Sequence, residues 1–150
     1  MTHQKAWVDH KGRPVVLVER PDSLEPFLAL LDTGCSLALL MDSATAHELG
    51  VVEAVKVRRN QPPERVRMAG GTSADLKQGR LSLIWNGVTR SVAVGITTQG
   101  QIFPEDRSWP GTEPKALLGC QLMAGNKVTI NFCARTIELT DCSNQQASVP

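Results

Sequence analysis

The residues best suited to chemistry in this sequence are Asp32, Thr33 and Gly34, which separate two apolar runs at 27–31 and 37–40. A carboxylate between segments that favour burial is costly unless it is hydrogen-bonded. Thr33 offers a hydroxyl, and Gly34 allows the backbone to turn tightly. The pattern predicts a carboxylate held on a turn after a strand and facing a cleft, as acid–base catalysis requires. A plain turn between two core strands is the alternative, because all three residue types are common in turns.

A second motif, Ala116-Leu117-Leu118-Gly119, lies far downstream and is followed by further strand patterns. The apolar-Asp-Thr-Gly and apolar-apolar-Gly motifs together resemble those of the retropepsin-like (retroviral-type) aspartic proteases, the single-domain relatives of pepsin. The resemblance extends over residues 15–139, with a variable segment inside it. A Leu-Leu-Gly followed by a short helix and a hairpin is typical of bacterial members of that family.

The resemblance implies a fold and a set of site residues. The implied fold is mostly β, a single-domain, closed, barrel-like acid-protease fold with one or two short helices. The implied activity is that of an aspartic endopeptidase, a hydrolase in which Asp32 is catalytic and in which Thr33 and Gly34 support the active-site loop. The residues implied to pack beside that loop are Leu117, Leu118 and Gly119.

A glycine pair at 70–71 predicts the tip of a β-hairpin. Residues 65–68 alternate with period two, and Ala-Gly-Gly-Thr-Ser follows at 69–73. In the resembling family a hairpin flap at this place closes over the substrate. The implied substrate-binding flap comprises Ala69, Gly70, Gly71 and Thr72. An ordinary hairpin turn is the plain alternative.

The number of Asp-Thr-Gly motifs predicts the oligomeric state. Peptide hydrolysis by carboxylates needs two of them sharing one proton, one activating water and one polarising the scissile carbonyl. The sequence contains one Asp-Thr-Gly, and no other aspartate is followed by a hydroxyl residue and glycine. The second carboxylate must therefore come from a second copy of the chain. This predicts a homodimer with Asp32 at its two-fold axis, a peptide or protein substrate, and no cofactor or metal.

Local patterns predict the elements that position these residues. Strands are expected at 14–18, 27–31, 51–57, 65–68, 128–132 and 136–139, and Asn86-Gly87 predicts a tight hairpin. A helix is expected at 44–49, capped by Asp42 or Ser43 and ended by Gly50, with a helical turn at 120–125. The predicted organisation is a loose segment at 1–13, a protease domain at 14–140 and a disordered tail at 141–150. The longest irregular segment is 97–115.

Composition excludes several classes of function. A net charge of +1 in 150 residues argues against a nucleic-acid partner, which would require a basic patch. No apolar run is long enough to cross a membrane, and the first residues lack a hydrophobic signal core. A soluble, cytoplasmic protein with no membrane partner is therefore expected.

The four cysteines, Cys35, Cys120, Cys133 and Cys142, form no Cys-x-x-Cys pair, so the sequence does not predict a zinc site. They are expected to be small buried side chains in a reducing compartment, with Cys142 the exposed one. Cys35 stands where the resembling family usually has Ala or Ser, and this predicts sensitivity to oxidation.

Two other functions are alternatives to an aspartic protease. A phosphotransferase aspartate of the haloacid dehalogenase type needs a second aspartate two residues on, where Gly34 stands. A retropepsin-like fold kept as a catalytically silent dimerisation or peptide-binding module is the stronger alternative. The intact Asp-Thr-Gly argues against it, because a binding module gains nothing from two carboxylates in a cleft.

Overall fold

The computed structural model describes residues 4–54, 64–67, 73–98 and 113–142, with the backbone alone at 64–67 and 73–74. The described chain is mostly β with two short helices, and this confirms that part of the predicted fold class. The strands are β1 (Ala6–Val8), β2 (Pro14–Val18), β3 (Phe27–Leu31), β4 (Leu39–Asp42), β5 (Val52–Glu53), β6 (Glu64–Arg67), β7 (Ser73–Trp85), β8 (Val88–Thr97), β9 (Ala116–Leu118), β10 (Asn126–Asn131) and β11 (Thr136–Asp141). The helices are α1 (Ser43–Leu49) and α2 (Cys120–Met123).

Strand β9 lies between the two strands that flank the Asp-Thr-Gly turn. The strand order is β10-β11-β1-β2-β3-β9-β4-β8-β7-β5, with β6 paired to β7. β9 runs parallel to β3, where Leu31 pairs with Leu118, and antiparallel to β4, where Leu39 pairs with Leu118. The connection from β3 to β4 must therefore cross the carboxyl end of β9. This crossing brings the turn at 32–34 next to Gly119.

One face of the sheet forms the main hydrophobic core. Neighbouring strands place Val16, Ala29, Leu118, Leu39 and Val94 on this face, and each is 0% exposed. Full burial of a Val or Leu side chain stabilises the fold by about 1.5–3 kcal/mol. The end of β3, the end of β9 and the start of β4 are thus held by side chains packed in the core, and this packing fixes the position of the turn that joins β3 to β4.

The predicted closed barrel is not confirmed. Within the described residues the hydrogen-bonded path of strands has two ends, at β10 and at β5. A single bridge joins the end of β2 to β7, where the Ile84 N–H donates to the Glu19 carbonyl at 2.8 Å. One bridge is a point of contact and not a paired ladder, so the strands described do not form a closed barrel.

The predicted helix and hairpin signals are confirmed. The Asp42 carboxylate caps α1 by accepting the Thr45 N–H at 2.8 Å, and Gly50 ends the helix in the left-handed region at φ 73°. Asn86 and Gly87, with φ of 51° and 76°, form the two-residue turn between β7 and β8. The predicted helical turn at 120–125 is α2.

The N-terminal segment differs from the loose 1–13 expected from the sequence. β1 lies within it and pairs with both β2 and β11, with Trp7 opposite Val15 and Thr136. Three residues are too few to show the alternation of apolar and polar side chains that identifies a strand. The segment is ordered because it pairs with a strand on each side, which its own sequence does not encode. β11 similarly ends at Asp141, one residue beyond the predicted domain boundary. Residues 143–150 of the predicted tail lie outside the described residues.

The turn between β1 and β2 is organised by a buried carboxylate, Asp9, which is 6% exposed. Its Oδ1 accepts the backbone N–H groups of Lys11 and Arg13, each at 2.9 Å, and its Oδ2 accepts the Arg13 Nε–H at 2.9 Å. Arg13 also donates to Glu113 at 3.1 Å, which ties the segment before β9 to this turn. Burial alone raises the pKa of Asp9, but the hydrogen bonds and charge of Arg13, with the Lys11 N–H, hold it below its ordinary value.

We expect Asp9→Asn to lower the free energy of unfolding at pH 7 by about 1–3 kcal/mol, because the amide can keep the two backbone hydrogen bonds but loses the charge and the oxygen that accepts the Arg13 Nε–H. The folded pKa of Asp9 lies below the unfolded one, so its contribution is complete above about pH 4 and is lost as pH falls through the folded value. Urea denaturation at pH 7 and pH 3 measures this: the difference between parent and variant should shrink at pH 3. Glu25→Gln at an exposed position is the control, and a gap that is equal at both pH values contradicts the assignment.

Neither helix within the described ranges has the length and apolar character that a bilayer-spanning helix requires.

Candidate active site

Asp32 is the first residue after β3, and its backbone is fixed by the neighbouring strand. Its N–H donates to the Leu118 carbonyl at 2.9 Å, which continues the β3–β9 ladder by one bond. Its own carbonyl accepts the Cys35 N–H at 3.1 Å, which closes the turn. Asp32 is half-buried, and Thr33 and Gly34 are exposed. The carboxylate is thus held at the end of a rigid strand and beside solvent.

The Asp32 carboxylate is oriented by its own turn. Its Oδ1 accepts the Gly34 N–H at 2.9 Å. A Cβ on Gly34 would lie 3.2 Å from that same oxygen, a separation tighter than ordinary van der Waals contact. A larger residue at 34 would therefore push against the carboxylate that the turn is built to hold.

Gly119 packs directly under the turn, and this is the closest backbone approach found at any described glycine. A Cβ on Gly119 would lie 2.1 Å from the Leu37 carbonyl oxygen and 2.5 Å from that of Cys35. The Gly119 N–H donates to the Ala38 carbonyl at 3.0 Å, and the Cys120 N–H donates to the Cys35 carbonyl at 2.8 Å. The structure brings the two predicted motifs together, and only a hydrogen at position 119 permits these bonds.

The predicted packing residues Leu117 and Leu118 point to opposite faces of β9. Leu118 is 0% exposed in the main core, whereas Leu117 is half-buried and pairs with the half-buried Leu30. Because side chains alternate along a strand, Leu30 lies on the same face of β3 as Asp32. The buried Cys35, Leu40 and Leu76 form a small cluster on this side, with the half-buried Leu37 and Leu117 packed against it. The half-buried Leu30 and Leu117 are therefore a partly exposed apolar floor on the face of the sheet that Asp32 shares.

The predicted flap residues Ala69, Gly70, Gly71 and Thr72 lie outside the described residues. The two strands that lead to them are described: β6 and β7 pair antiparallel, with Arg67 opposite Ser73. Most of the irregular segment predicted at 97–115 also lies outside them, between residues 98 and 113.

The cysteines differ from the expectation of three buried thiols and one exposed thiol. Cys35 is buried, but Cys120 and Cys133 are exposed and Cys142 is intermediate. The Cys120 Sγ–H donates to the Thr33 carbonyl at 3.0 Å. Burial raises the pKa of the Cys35 thiol, a backbone hydrogen bond from Leu37 opposes the rise, and Asp32 and Cys120 add to it.

The contact from Cys120 to the Asp-Thr-Gly turn was missed by the sequence analysis. Its one sequence signal is position: Cys120 directly follows Leu-Leu-Gly, the segment expected to pack beside the loop. Residue type alone gave no reason to separate it from the other cysteines. Among the described residues, no group of three or more His, Cys, Asp or Glu side chains is placed to hold a metal ion.

Neither a protein-family model nor a curated protein matches this sequence. Among solved structures, the chain is similar to EIAV protease complexed with the inhibitor HBY-793, with 16% sequence identity and a TM-score of 0.46. The likeness covers 74% of this chain and 85% of that chain.

Proposed function

We propose that this chain is an aspartic endopeptidase of the retropepsin-like, bacterial single-domain type, which hydrolyses peptide bonds as a homodimer. The observation that supports this best is the arrangement around Asp32. A carboxylate at the end of a strand accepts the Gly34 N–H at 2.9 Å, and Gly119 packs against the backbone of the same loop. The bond to Gly34 is an Asx-turn, which plain turns also use, so the support comes from the packing of Gly119 against this loop and from the position of Asp32 beside solvent.

The proposed mechanism uses two carboxylates, Asp32 and Asp32 of the partner subunit. They share one proton, so that one is a base and the other an acid. The base removes a proton from a water molecule that attacks the scissile carbonyl carbon, and the acid donates its proton to the carbonyl oxygen. Collapse of the tetrahedral intermediate then breaks the C–N bond, and the leaving amine takes up a proton. In this proposal Thr33 braces the two loops against each other at the two-fold axis.

The proposed substrate is an extended peptide lying across the apolar floor. Leu30 and Leu117 are half-buried and border the Asp32 face, so apolar side chains flanking the scissile bond fit this surface best. In this proposal residues 69–72, which follow β6 and precede β7, act as the substrate-binding flap over the peptide. An extended peptide can then be bound through hydrogen bonds to its main chain, while pockets for alternate side chains determine which peptide sequences are preferred.

A peptide-library cleavage assay tests the proposal. We expect hydrolysis with a bell-shaped pH profile whose optimum is on the acid side of neutral, because the rate requires the singly protonated pair. A hydroxyl-bearing tetrahedral mimic of the pepstatin type should inhibit, and a chelator should not. Specific activity should fall on dilution as the dimer dissociates, and sedimentation at the same concentrations should show the monomer appearing in parallel.

Two outcomes contradict the proposal. One is a monomer at every concentration with undiminished activity, which excludes a site made by two copies. The other is cleavage that stops with the chelator and continues with the mimic. A chain that dimerises and binds the mimic but cleaves no peptide supports the alternative, a catalytically silent dimerisation or peptide-binding module.

A further inference from the structure

Two thiols lie behind the Asp-Thr-Gly turn, and no step of the proposed hydrolysis uses them. Cys120 is exposed at the first position of α2, and its Sγ–H donates to the Thr33 carbonyl at 3.0 Å. Cys35 follows Gly34 directly and is 8% exposed. One thiol therefore faces solvent while the other lies beneath the surface next to it.

The backbone holds these two cysteines within reach of a disulfide. The Cys120 N–H donates to the Cys35 carbonyl at 2.8 Å. This hydrogen bond and the covalent bonds on either side of it span at most about 7 Å between the two Cα atoms. That distance is about the upper limit for cysteines joined without backbone movement. A Cβ on Gly119 would lie 2.9 Å from the Cys35 Sγ, so the Cys35 thiol already touches the chain that carries Cys120.

We propose that Cys35 and Cys120 form a reversible thiol–disulfide site that reacts with low-molecular-weight disulfides of the glutathione class. The Cys120 thiolate attacks one sulfur of the small disulfide, an S–S bond forms to Cys120, and one small thiolate leaves. The Cys35 thiolate then attacks the Cys120 Sγ, which forms the protein disulfide and releases the second small thiolate. The two protein thiol protons end on the two small thiols, so the protein is oxidised by two electrons and the small disulfide is reduced by two.

Exposure assigns the two roles. An external disulfide can approach the exposed Cys120 but not the buried Cys35, and the pKa of Cys35 is raised by burial, which disfavours its thiolate. Attack from within the protein removes the need for access, because the mixed disulfide on Cys120 would be adjacent to Cys35. Exchange proceeds through such a mixed disulfide. Cys120 is therefore the attacking thiol and Cys35 the resolving thiol.

The protein disulfide would change the turn that carries Asp32. The Cys120 Sγ would no longer donate to the Thr33 carbonyl, and Cys35 would be tied covalently to the start of α2. A prediction that oxidation reduces peptide cleavage depends on the proposed function. The prediction that the disulfide forms does not depend on it, because the linked peptide can be detected by mass spectrometry.

The test uses the full chain with Cys133→Ser and Cys142→Ser, which remove the other exposed or partly exposed thiols. This parent is incubated with glutathione disulfide, quenched in acid, alkylated, digested and mapped by mass spectrometry. We expect a linked peptide containing Cys35 and Cys120 and the release of two glutathione thiols per chain. In Cys35→Ala, a mixed disulfide on Cys120 should accumulate at least about tenfold above its level in the parent, because nothing resolves it.

Cys120→Ser provides the converse variant, in which Cys35 should remain an unmodified thiol. Equal amounts of mixed disulfide on Cys120 in the parent and in Cys35→Ala would overturn the resolving role. Rapid glutathione addition at Cys35 in Cys120→Ser would overturn the assignment of Cys120 as the point of entry. A Cys35–Cys120 disulfide in a protein that cleaves no peptide would support the thiol–disulfide site and would contradict only the proposed function.

Discussion

Asp32→Asn is expected to reduce peptide cleavage by at least about 10²–10⁴-fold, the usual contribution of a positioned acid–base group. In the proposed mechanism, an amide could neither accept the proton of the attacking water nor share a proton with Asp32 of the partner subunit. The fold should persist, because the Asn side-chain carbonyl can still accept the Gly34 N–H that the Asp32 Oδ1 accepts at 2.9 Å. The free energy of unfolding should change by no more than about 1 kcal/mol.

The measurement pairs cleavage of a peptide library with urea denaturation of the same samples. Asp22→Asn is the matched control: Asp22 is exposed in the loop before β3 with φ 61°, a conformation that asparagine adopts readily. It should cleave as the parent does. An Asp32→Asn protein that cleaves at the parental rate would exclude Asp32 as the catalytic carboxylate, whatever its stability.

Short-range signals predicted the local elements around the site. The cap at Asp42, the stop at Gly50 and the Asn86-Gly87 turn each depend on the backbone preferences of one or two residues, and each is confirmed. Such preferences act within a few residues, so a single sequence is enough to recognise them.

The sequence did not predict the features that depend on distant partners. β1 is a strand because β2 and β11 pair with it, and neither partner is encoded in its three residues. The exposure of Cys120 likewise follows from where α2 begins on the surface, and the residue type alone favours burial. The Cys120 hydrogen bond to Thr33 spans 87 positions, a contact that no local pattern reports.

The predicted packing of Leu-Leu-Gly beside Asp-Thr-Gly lies between these cases. Its residues came from a family resemblance, and its cause is topological. Since β9 is inserted between β3 and β4, the loop at 32–38 crosses the end of β9, and there is no room for a side chain on β9 at the crossing. Glycine at 119 meets this requirement, which cannot be recognised from either motif alone.

Gly119→Ala should therefore be among the most destabilising glycine-to-alanine changes in the described part of the chain. The added Cβ would lie 2.1 Å from the Leu37 carbonyl oxygen and 2.5 Å from that of Cys35, and both are backbone atoms that no rotamer change can move. Relief requires the loop and β9 to separate, which breaks the hydrogen bonds to Ala38 and Cys35. We expect a loss of more than about 3 kcal/mol in the free energy of unfolding, beyond what most single substitutions cost.

Guanidinium denaturation of Gly119→Ala and Gly12→Ala separates this clash from the general cost of replacing glycine. Gly12 has φ 77° and no atom within 4 Å of an added Cβ, so Gly12→Ala should cost only about 1–2 kcal/mol from its left-handed backbone. Failure of Gly119→Ala to fold, while Gly12→Ala folds, agrees with the clash. If the free energy of unfolding of Gly119→Ala is within about 1 kcal/mol of the parent's, the loop at 32–38 does not pack closely against residue 119. That result would contradict the packing of the two motifs and the argument that this packing holds Asp32 in place.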